Sequence, residues 1–185
     1  VGYLSPEAHM ALVLLGEGKA YFEGELLPGG QALAPAGIEP MGLGAKEGLA
    51  LVSGTTSVPA LGGLALWDMR NAARAADVIA AITLEASKGI IRAFDQRVMA
   101  VRPHPHQAGV ADNVRKVLEG SEIIEHYKTS RVQDALSLRC VPQLHGAAKK
   151  TLEDALTTVE IEINSCCDNP IIWSEGADAD VISAC

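Results

Sequence analysis

The sequence predicts a mainly α fold, a bundle of long helices with small β-hairpins between them. Two apolar patterns with helical spacing are unusually long, at residues 56–88 and 142–166. A helix of about 30 residues is about 45 Å long, which is more than a compact domain of this size accommodates. The first pattern is small and apolar on nearly every side, so we expect other helices to bury it.

Length, charge and composition exclude several classes of protein. The chain has 185 residues, a formal net charge of −8 and 48% hydrophobic residues. Nucleic acids and anionic membrane surfaces are bound by clustered Lys and Arg, so neither partner is expected. The hydrophobic content is too high for a disordered chain. The ends, Val1 without a preceding Met and an apolar run up to Cys185, indicate a fragment of a longer protein.

The predicted elements follow one another along the chain. Ser5-Pro6-Glu7 is a helix start, with a hydroxyl N-cap and Pro at the first helical position, and this helix is expected to end near Gly16. Glu23-Gly24 lies between two short apolar segments and predicts a hairpin, which Pro28-Gly29-Gly30 ends. The other predicted elements are a short helix from Gln31, helices over 45–52, 56–88, 107–119 and 142–166, and a hairpin over 171–174 and 180–183.

One uncharged segment, residues 48–67, is long enough to cross a bilayer. It also contains several Ser, Thr, Pro and Gly residues, whose polar and helix-breaking character is costly in lipid. The segment therefore favours a buried pair of helices with a break between them, and no membrane association is expected.

Cysteine and histidine residues show no pattern of a metal site. The four cysteines lack the paired spacing of a zinc site, and buried free thiols in a reducing cytoplasm are the favoured interpretation. His104 and His106 flank a proline in a predicted extended loop, so they point apart and are interpreted as loop surface. His9 and His145 lie beside apolar residues on predicted helices, where hydrogen-bonded core histidines are expected.

Arg139 is the most interesting single residue. A guanidinium at the start of a helix is suited to bidentate capture of a carboxylate. A structural ion pair with Asp134 is the alternative, and the residues alone leave both interpretations open.

Four blocks of residues, in order, resemble the histidine and aromatic amino acid ammonia-lyases. The resemblance covers nearly the whole chain and predicts that residues 1–185 are the central helical portion of a longer lyase chain. It implies a long-helix bundle and a homotetramer that eliminates ammonia from histidine, phenylalanine or tyrosine. The blocks are Leu4-Ser5-Pro6-Glu7-Ala8-His9 with 15–18; residues 45–51; Gln133-Asp134 with 137–140 and 142–146; and residues 160–164 with 168–170.

The prosthetic group of this family is where the chain departs from the pattern. Methylidene-imidazolone (MIO) forms when an internal Ala-Ser-Gly cyclises and its Ser loses water. Counting back from Pro6, the Gly of that tripeptide falls on Gly2 and the Ser falls on Val1, which has no hydroxyl to eliminate. The Asp that follows the tripeptide in the family is Tyr3 here. No MIO, and no other cofactor, is therefore expected.

Two further departures concern residues that work with MIO in the family. The Asn that supports the prosthetic group corresponds to Ser53, and the catalytic Tyr corresponds to Leu136. Gln133 and Arg139 are retained and resemble the pair that holds the substrate. The resemblance thus implies a kept carboxylate site with replaced chemistry.

The expected function is a carbon–nitrogen lyase that eliminates an amine from a histidine-like or aromatic amino acid substrate, or a betaine, without MIO. A quaternary amine needs no electrophile because it leaves as a neutral molecule, and a MIO-free relative, ergothionase, uses such a substrate. A conventional MIO-dependent ammonia-lyase, with the register misplaced, and a non-catalytic oligomerising paralogue are the alternatives. Because the family assembles its site from several subunits, the isolated 185 residues are expected to be inactive.

Overall fold

The structure, a computed structural model, describes residues 7–167, 169–173 and 180–183. Helices dominate it and the strands form two small antiparallel pairs, so the predicted mainly α fold with hairpins is confirmed. The helices are α1 (Glu7–Leu14), α2 (Gly29–Leu33), α3 (Glu47–Val52), α4 (Ser57–Ala86), α5 (Gln96–Ala100), α6 (Pro105–Val117), α7 (Glu122–Tyr127), α8 (Leu136–Arg139) and α9 (Val141–Ile163), with a 3-10 helix at Ile91–Phe94. The strands are β1 (Lys19–Phe22), β2 (Glu25–Pro28), β3 (Ile171–Trp173) and β4 (Asp180–Ile182).

Two compact units divide the chain. The first combines Val1–Ala60 with Glu162–Cys185, and the second is Leu61–Ile161. The first unit holds both hairpins, and the second holds most of the helical residues.

The first hairpin forms as its sequence predicts. β1 pairs antiparallel with β2, from Lys19 opposite Pro28 to Phe22 opposite Glu25. The two turn residues have positive φ, 49° at Glu23 and 87° at Gly24. Two left-handed residues in succession match the right-handed twist of the paired strands, which is why this dipeptide closes the hairpin.

A close backbone approach explains the glycines after this hairpin. The Gly29 amide donates to the Gly18 carbonyl at 3.0 Å, and the Gly30 amide donates to the Gly16 carbonyl at 2.8 Å. A Cβ atom on Gly29 would lie 2.0 Å from the carbonyl oxygen of Glu17. The residue without a side chain therefore lets α2 begin directly against the segment that follows α1.

The two long helical patterns both form helices, of 30 residues in α4 and 23 in α9. The predicted break within residues 48–67 lies between α3 and α4. Leu61, Leu64 and Trp67 of this segment are 69%, 68% and 57% exposed in the single chain, so their predicted burial by other helices stays a prediction. Among the described residues, no helix combines the length and the apolar character that crossing a membrane requires.

The hydrophobic core of the second unit lies where the C-terminal half of α4 packs against shorter elements. The 3-10 helix and α5 contact α6, whose inward face is fully buried. Phe94 is 1% exposed and is among the largest buried side chains. The buried apolar residues of this cluster are Ala81, Leu84, Phe94, Met99, Val110, Ala111, Val114, Leu118, Ile124 and Val141.

Asp77 is a buried carboxylate, 1% exposed, that connects three helices of this unit. From α4 it accepts hydrogen bonds from Asn113 of α6 at 2.8 Å and from Lys149 of α9, and it contacts His145 of α9 at 3.0 Å. Burial opposes its charge, but the bonds from Lys149, Asn113 and His145 outweigh burial and hold the pKa of Asp77 below its usual value. The predicted hydrogen-bonded state of His145 is therefore confirmed. We call these four residues the Asp77 cluster.

Several predictions about single residues are wrong. His9 is exposed, because α1 turns it away from the buried Ala11. Cys166 and Cys167 are exposed free thiols after the end of α9, whereas buried thiols were expected.

The predicted extended loop over residues 102–106 is too long. His104 has extended dihedral angles, but α6 already begins at Pro105, so the last two residues of the predicted loop are helical. Proline fits the first helical position because its missing N–H is not needed there.

The short elements between the long helices were not predicted. α5 begins where Asp95 accepts a hydrogen bond from the Arg97 amide at 2.8 Å. α7 begins where Ser121 accepts one from the Ile124 amide at 3.1 Å. In each of these two helices the capping side chain satisfies one of the amide donors that the first turn leaves without a partner.

Candidate functional site

Arg139 is the last residue of α8 and has a guanidinium that is held at one nitrogen only. Its Nε donates to the backbone carbonyl of Asp134 at 3.0 Å. In the described part of the chain, its two terminal nitrogens have no hydrogen-bond acceptor. One fixed nitrogen orients the fork, and the remaining donors are available for a carboxylate in bidentate geometry.

The Asp134 carboxylate is occupied by other groups. Asp134 is 7% exposed; its Oδ2 accepts from the Ile90 amide at 2.6 Å and its Oδ1 from Arg131 Nε at 2.7 Å. Arg131 also donates to the carbonyls of Ser87 and Lys88, which follow α4. The alternative interpretation of Arg139, an ion pair with the Asp134 carboxylate, is therefore wrong.

Gln133 and Arg139, the two residues that resemble a substrate-holding pair, line the same cavity. Its volume is about 430 Å³, which is within the range of small-molecule sites. The wall is mixed polar and apolar. The lining residues are Ile90, Arg92, Ala93, Val98, Val132, Gln133, Asp134, Arg139, Cys140 and Gln143. We call this space the Arg139 cavity.

Two polar residues of the Arg139 cavity were missed in the sequence. Gln143 has a buried Oε1 atom without a hydrogen-bond partner in the described residues, so a donor can be accommodated there. Its spacing of four residues from Arg139 is a signal that could have indicated it. Arg92 comes from the 3-10 helix, more than 40 residues earlier in the chain, and nothing in the local pattern relates it to Arg139.

Leu136, which corresponds to the catalytic Tyr of the family, is the first residue of α8 and is 64% exposed. It does not line the Arg139 cavity. Its side chain is a hydrocarbon, so it cannot exchange a proton with a ligand.

Ser53 lies in the first unit, at the C-cap of α3, where its amide donates to the Leu49 carbonyl at 2.8 Å. It lines a second cavity of about 390 Å³ together with several hydroxyl groups. Glu162 and Cys167 also line this space, and the Cys167 thiol lies 3.4 Å from Glu162 Oε2. The structure thus divides the predicted binding residues between two cavities, one in each unit.

Val1, Gly2 and Tyr3, the residues that correspond to the MIO segment, lie outside the described residues. Their assignment stays a prediction from the sequence.

The histidine pair before α6 shows no metal site. His104 is exposed, and His106 pairs with Glu153, with 2.8 Å between Nε2 and Oε2. Within residues 7–167, 169–173 and 180–183, no group of three or more His, Cys, Asp or Glu side chains is arranged to hold a metal ion.

Comparison with known proteins gives consistent matches over the full chain. The family model for aromatic amino acid lyase matches residues 1–185. Histidine ammonia-lyase from Sorangium cellulosum (strain So ce56) is 52% identical over 98% of this chain and 36% of its own length. The chain therefore spans about a third of the length of this curated relative.

Solved structures match the fold as well. The crystal structure of histidine ammonia-lyase from Trypanosoma cruzi has a TM-score of 0.82 and 35% identity, covering 97% of this chain and 33% of that one. Ergothionase from Treponema denticola, an ergothioneine degrading enzyme, has a TM-score of 0.78 and 28% identity, covering 88% of this chain and 33% of that one. With the family model matched from end to end, the chain belongs to the aromatic amino acid lyase family.

Proposed function

We propose that the whole protein is a carbon–nitrogen lyase that eliminates an amine from a histidine-like or aromatic amino acid derivative, without MIO. The observation that carries the proposal is the Arg139 guanidinium, which one backbone carbonyl orients and which has no other acceptor among the described residues, in a cavity of small-molecule size. Relatives named histidine ammonia-lyase support the reaction class. Because the chain covers 36% of the length of such a relative, the proposal concerns the complete protein.

In this proposal Arg139 binds the α-carboxylate of the substrate. The bond from its Nε to the Asp134 carbonyl fixes the plane of the guanidinium, which reduces the entropy lost on binding. Gln133, in the same wall, supplies an amide for a further polar contact. Together these groups position the substrate, which is the first requirement for a rapid elimination.

The residues present do not fit the prosthetic group of the family. Val1 stands at the position of the serine that must lose water, and a valine side chain has no hydroxyl group. Ser53 replaces the Asn that supports MIO, and Leu136 replaces the catalytic Tyr. We therefore derive no step through MIO.

Elimination without an electrophile requires an amine that already leaves well. A base removes the β-proton, the electron pair forms the carbon–carbon double bond, and the carbon–nitrogen bond breaks. When the nitrogen carries three methyl groups, it departs as neutral trimethylamine and the product is an α,β-unsaturated acid. The similarity to ergothionase supports an α-trimethylammonium substrate of this kind.

A second candidate is a conventional ammonia-lyase acting on histidine itself, and the names of the curated relatives favour it. The two candidates use the same carboxylate contact at Arg139 and differ in the amine that leaves. In both cases we propose that the complete protein is a cytoplasmic homotetramer. The exposed apolar side chains Leu61, Leu64 and Trp67 of α4 support the homotetramer, because they could form contacts between subunits.

The test is a product assay on the complete purified protein. Incubation with histidine betaine and with histidine, followed by quantification of trimethylamine and ammonia, distinguishes the two candidates. Intact mass then reports whether a tripeptide has cyclised with loss of water, and that loss would contradict the MIO-free proposal.

A matched pair of variants connects turnover to the cavity. Arg139→Gln is expected to lower kcat/KM by about 100-fold, because a bidentate charged contact to the carboxylate is lost. Arg74→Gln removes the same charge from an exposed position of α4 and should leave kcat/KM unchanged. Absence of turnover of every amino acid and betaine by the complete protein would favour a non-catalytic paralogue instead.

A further inference from the structure

We propose that Arg92 is a second anion-binding residue of the Arg139 cavity, so that the ligand bound there carries another acidic group besides its α-carboxylate. This inference rests on the proposed function, because it takes Arg139 as the residue that binds the carboxylate. It narrows the substrate class of the proposed function to derivatives with an acidic group on the ring or side chain, so histidine betaine itself would bind without using Arg92.

The charges that line the Arg139 cavity are not balanced. Three charged residues line it, Arg92, Arg139 and Asp134. The Asp134 carboxylate already pairs with Arg131 and accepts the Ile90 amide, so it does not compensate the other two charges. In the part of the chain that the structure describes, neither the Arg92 side chain nor the terminal nitrogens of Arg139 have an acceptor.

Asp134 contacts both elements that carry the two arginines. The carbonyl of Asp134 accepts from Arg139 Nε at 3.0 Å, and its carboxylate accepts from the Ile90 amide at 2.6 Å. Ile90 is the N-cap of the 3-10 helix that carries Arg92, and Phe94 at the end of this helix is buried in the core. Asp134 therefore holds the Arg139 side chain directly and fixes the backbone at the start of the helix that carries Arg92.

The Arg139 cavity is large enough for a ligand with two acidic groups. A cavity of about 430 Å³ suits a small molecule. A sphere of that volume is roughly 9 Å across, so one ligand with acidic groups at its two ends can reach both cations. The chain as a whole has a formal net charge of −8 and repels anions. The two arginines of the cavity therefore attract an anion only at close range.

The experiment compares two ligands that lack an amine and so cannot undergo the reaction. 3-Phenylpropanoate has one carboxylate, and 3-(4-carboxyphenyl)propanoate has a second one at the far end of the ring. Dissociation constants are measured by calorimetry on the complete protein at constant ionic strength. We expect the dicarboxylate to bind about fivefold more tightly than the monocarboxylate, because a partly exposed ion pair contributes about that much to affinity.

Arg92→Gln should abolish the tighter binding of the dicarboxylate without changing the affinity for the monocarboxylate. Arg74→Gln, the same charge change at an exposed position of α4, should leave the preference intact. The melting temperature of each variant establishes that it is folded.

Other outcomes distinguish failure of the role proposed for Arg92 from failure of the role proposed for Arg139. If Arg139→Gln weakens both ligands while Arg92→Gln leaves their ratio unchanged, only the inference about Arg92 fails. If Arg92→Gln weakens both ligands equally, it shares a single carboxylate with Arg139, and the second acidic group is refuted. If Arg139→Gln changes neither affinity, the carboxylate role of Arg139 in the proposed function fails.

Discussion

Removal of the buried carboxylate in the Asp77 cluster should strongly destabilise the second unit. Asp77→Ala deletes the acceptor shared by Asn113, His145 and Lys149, which lie on two other helices. The ammonium of Lys149 would then stay in a site where its side chain is only 20% exposed. A charge left without its partner in such a place is the costly part of the change.

The size of the effect follows from these contacts. Removing one partner of a buried ion pair costs about 3–5 kcal/mol, and a hydrogen bond to a charged group contributes about 1.5–3 kcal/mol. Lys149 keeps some access to water, so we expect a loss near the lower bound, about 3 kcal/mol in the free energy of unfolding. Asp77→Leu combined with Lys149→Met removes both charges and should recover most of this loss.

The acid dependence of stability has a definite sign. The pKa of Asp77 is lower in the folded protein than the ordinary value of 3.8. Its charge therefore contributes stability that is fully present above pH 3.8 and is lost as the pH falls through the lower, folded pKa. The difference in stability between the wild type and Asp77→Asn should shrink over that acidic range.

Urea unfolding of the complete protein at one fixed concentration measures these differences, because urea does not screen charges as guanidinium does. Asp112→Ala is the matched control, since Asp112 is a more exposed carboxylate of α6 that pairs with Arg115 and Lys116. The reasoning is refuted if Asp77→Ala unfolds at the same urea concentration as Asp112→Ala.

Three further changes test local structure. Gly29→Ala should prevent the close approach of α2 to the Glu17 carbonyl, which would lie 2.0 Å from the new Cβ, and lower yield and melting temperature. Gly24→Ala, with its φ of 87° but nothing within 4 Å of the new Cβ, is the milder comparison. Ser121→Ala removes the N-cap of α7 and its bond to Glu85, and should cost about 1 kcal/mol in urea unfolding. Gly146→Ala would bring a Cβ within 2.7 Å of the Gln107 amide nitrogen and should lower the melting temperature more than Gly109→Ala, which meets nothing within 4 Å.

Local signals in the sequence were sufficient for the regular elements. The Glu23-Gly24 turn determined the first hairpin, and the apolar spacing determined the two long helices. These features depend on residues close together in the chain, so their physical cause is visible in one window of sequence. The short helices α5 and α7 were missed because a single capping side chain, Asp95 or Ser121, outweighs a weak apolar pattern.

The candidate site was predictable only in part. Motif resemblance indicated Gln133 and Arg139, and both line one cavity. The sequence does not predict the partner of Arg139, because that depends on which group the Asp134 carboxylate binds. This carboxylate accepts a hydrogen bond from the Ile90 amide, 44 residues away, and no local spacing encodes a contact of that range. The same contact fixes Ile90, the N-cap of the 3-10 helix that carries Arg92.

The Asp77 cluster has a consequence for how the second unit opens. The Asp77 carboxylate of α4 holds Asn113 of α6 and Lys149 of α9, so separation of α9 leaves two charges unpaired and separation of α6 breaks a hydrogen bond to a buried charge. Backbone amides around Asp77, Asn113 and Lys149 should therefore exchange with deuterium at a common rate and behave as one cooperative unit. Helix α7, fixed mainly through Ser121 and Ile124, lies outside this cluster and should exchange earlier.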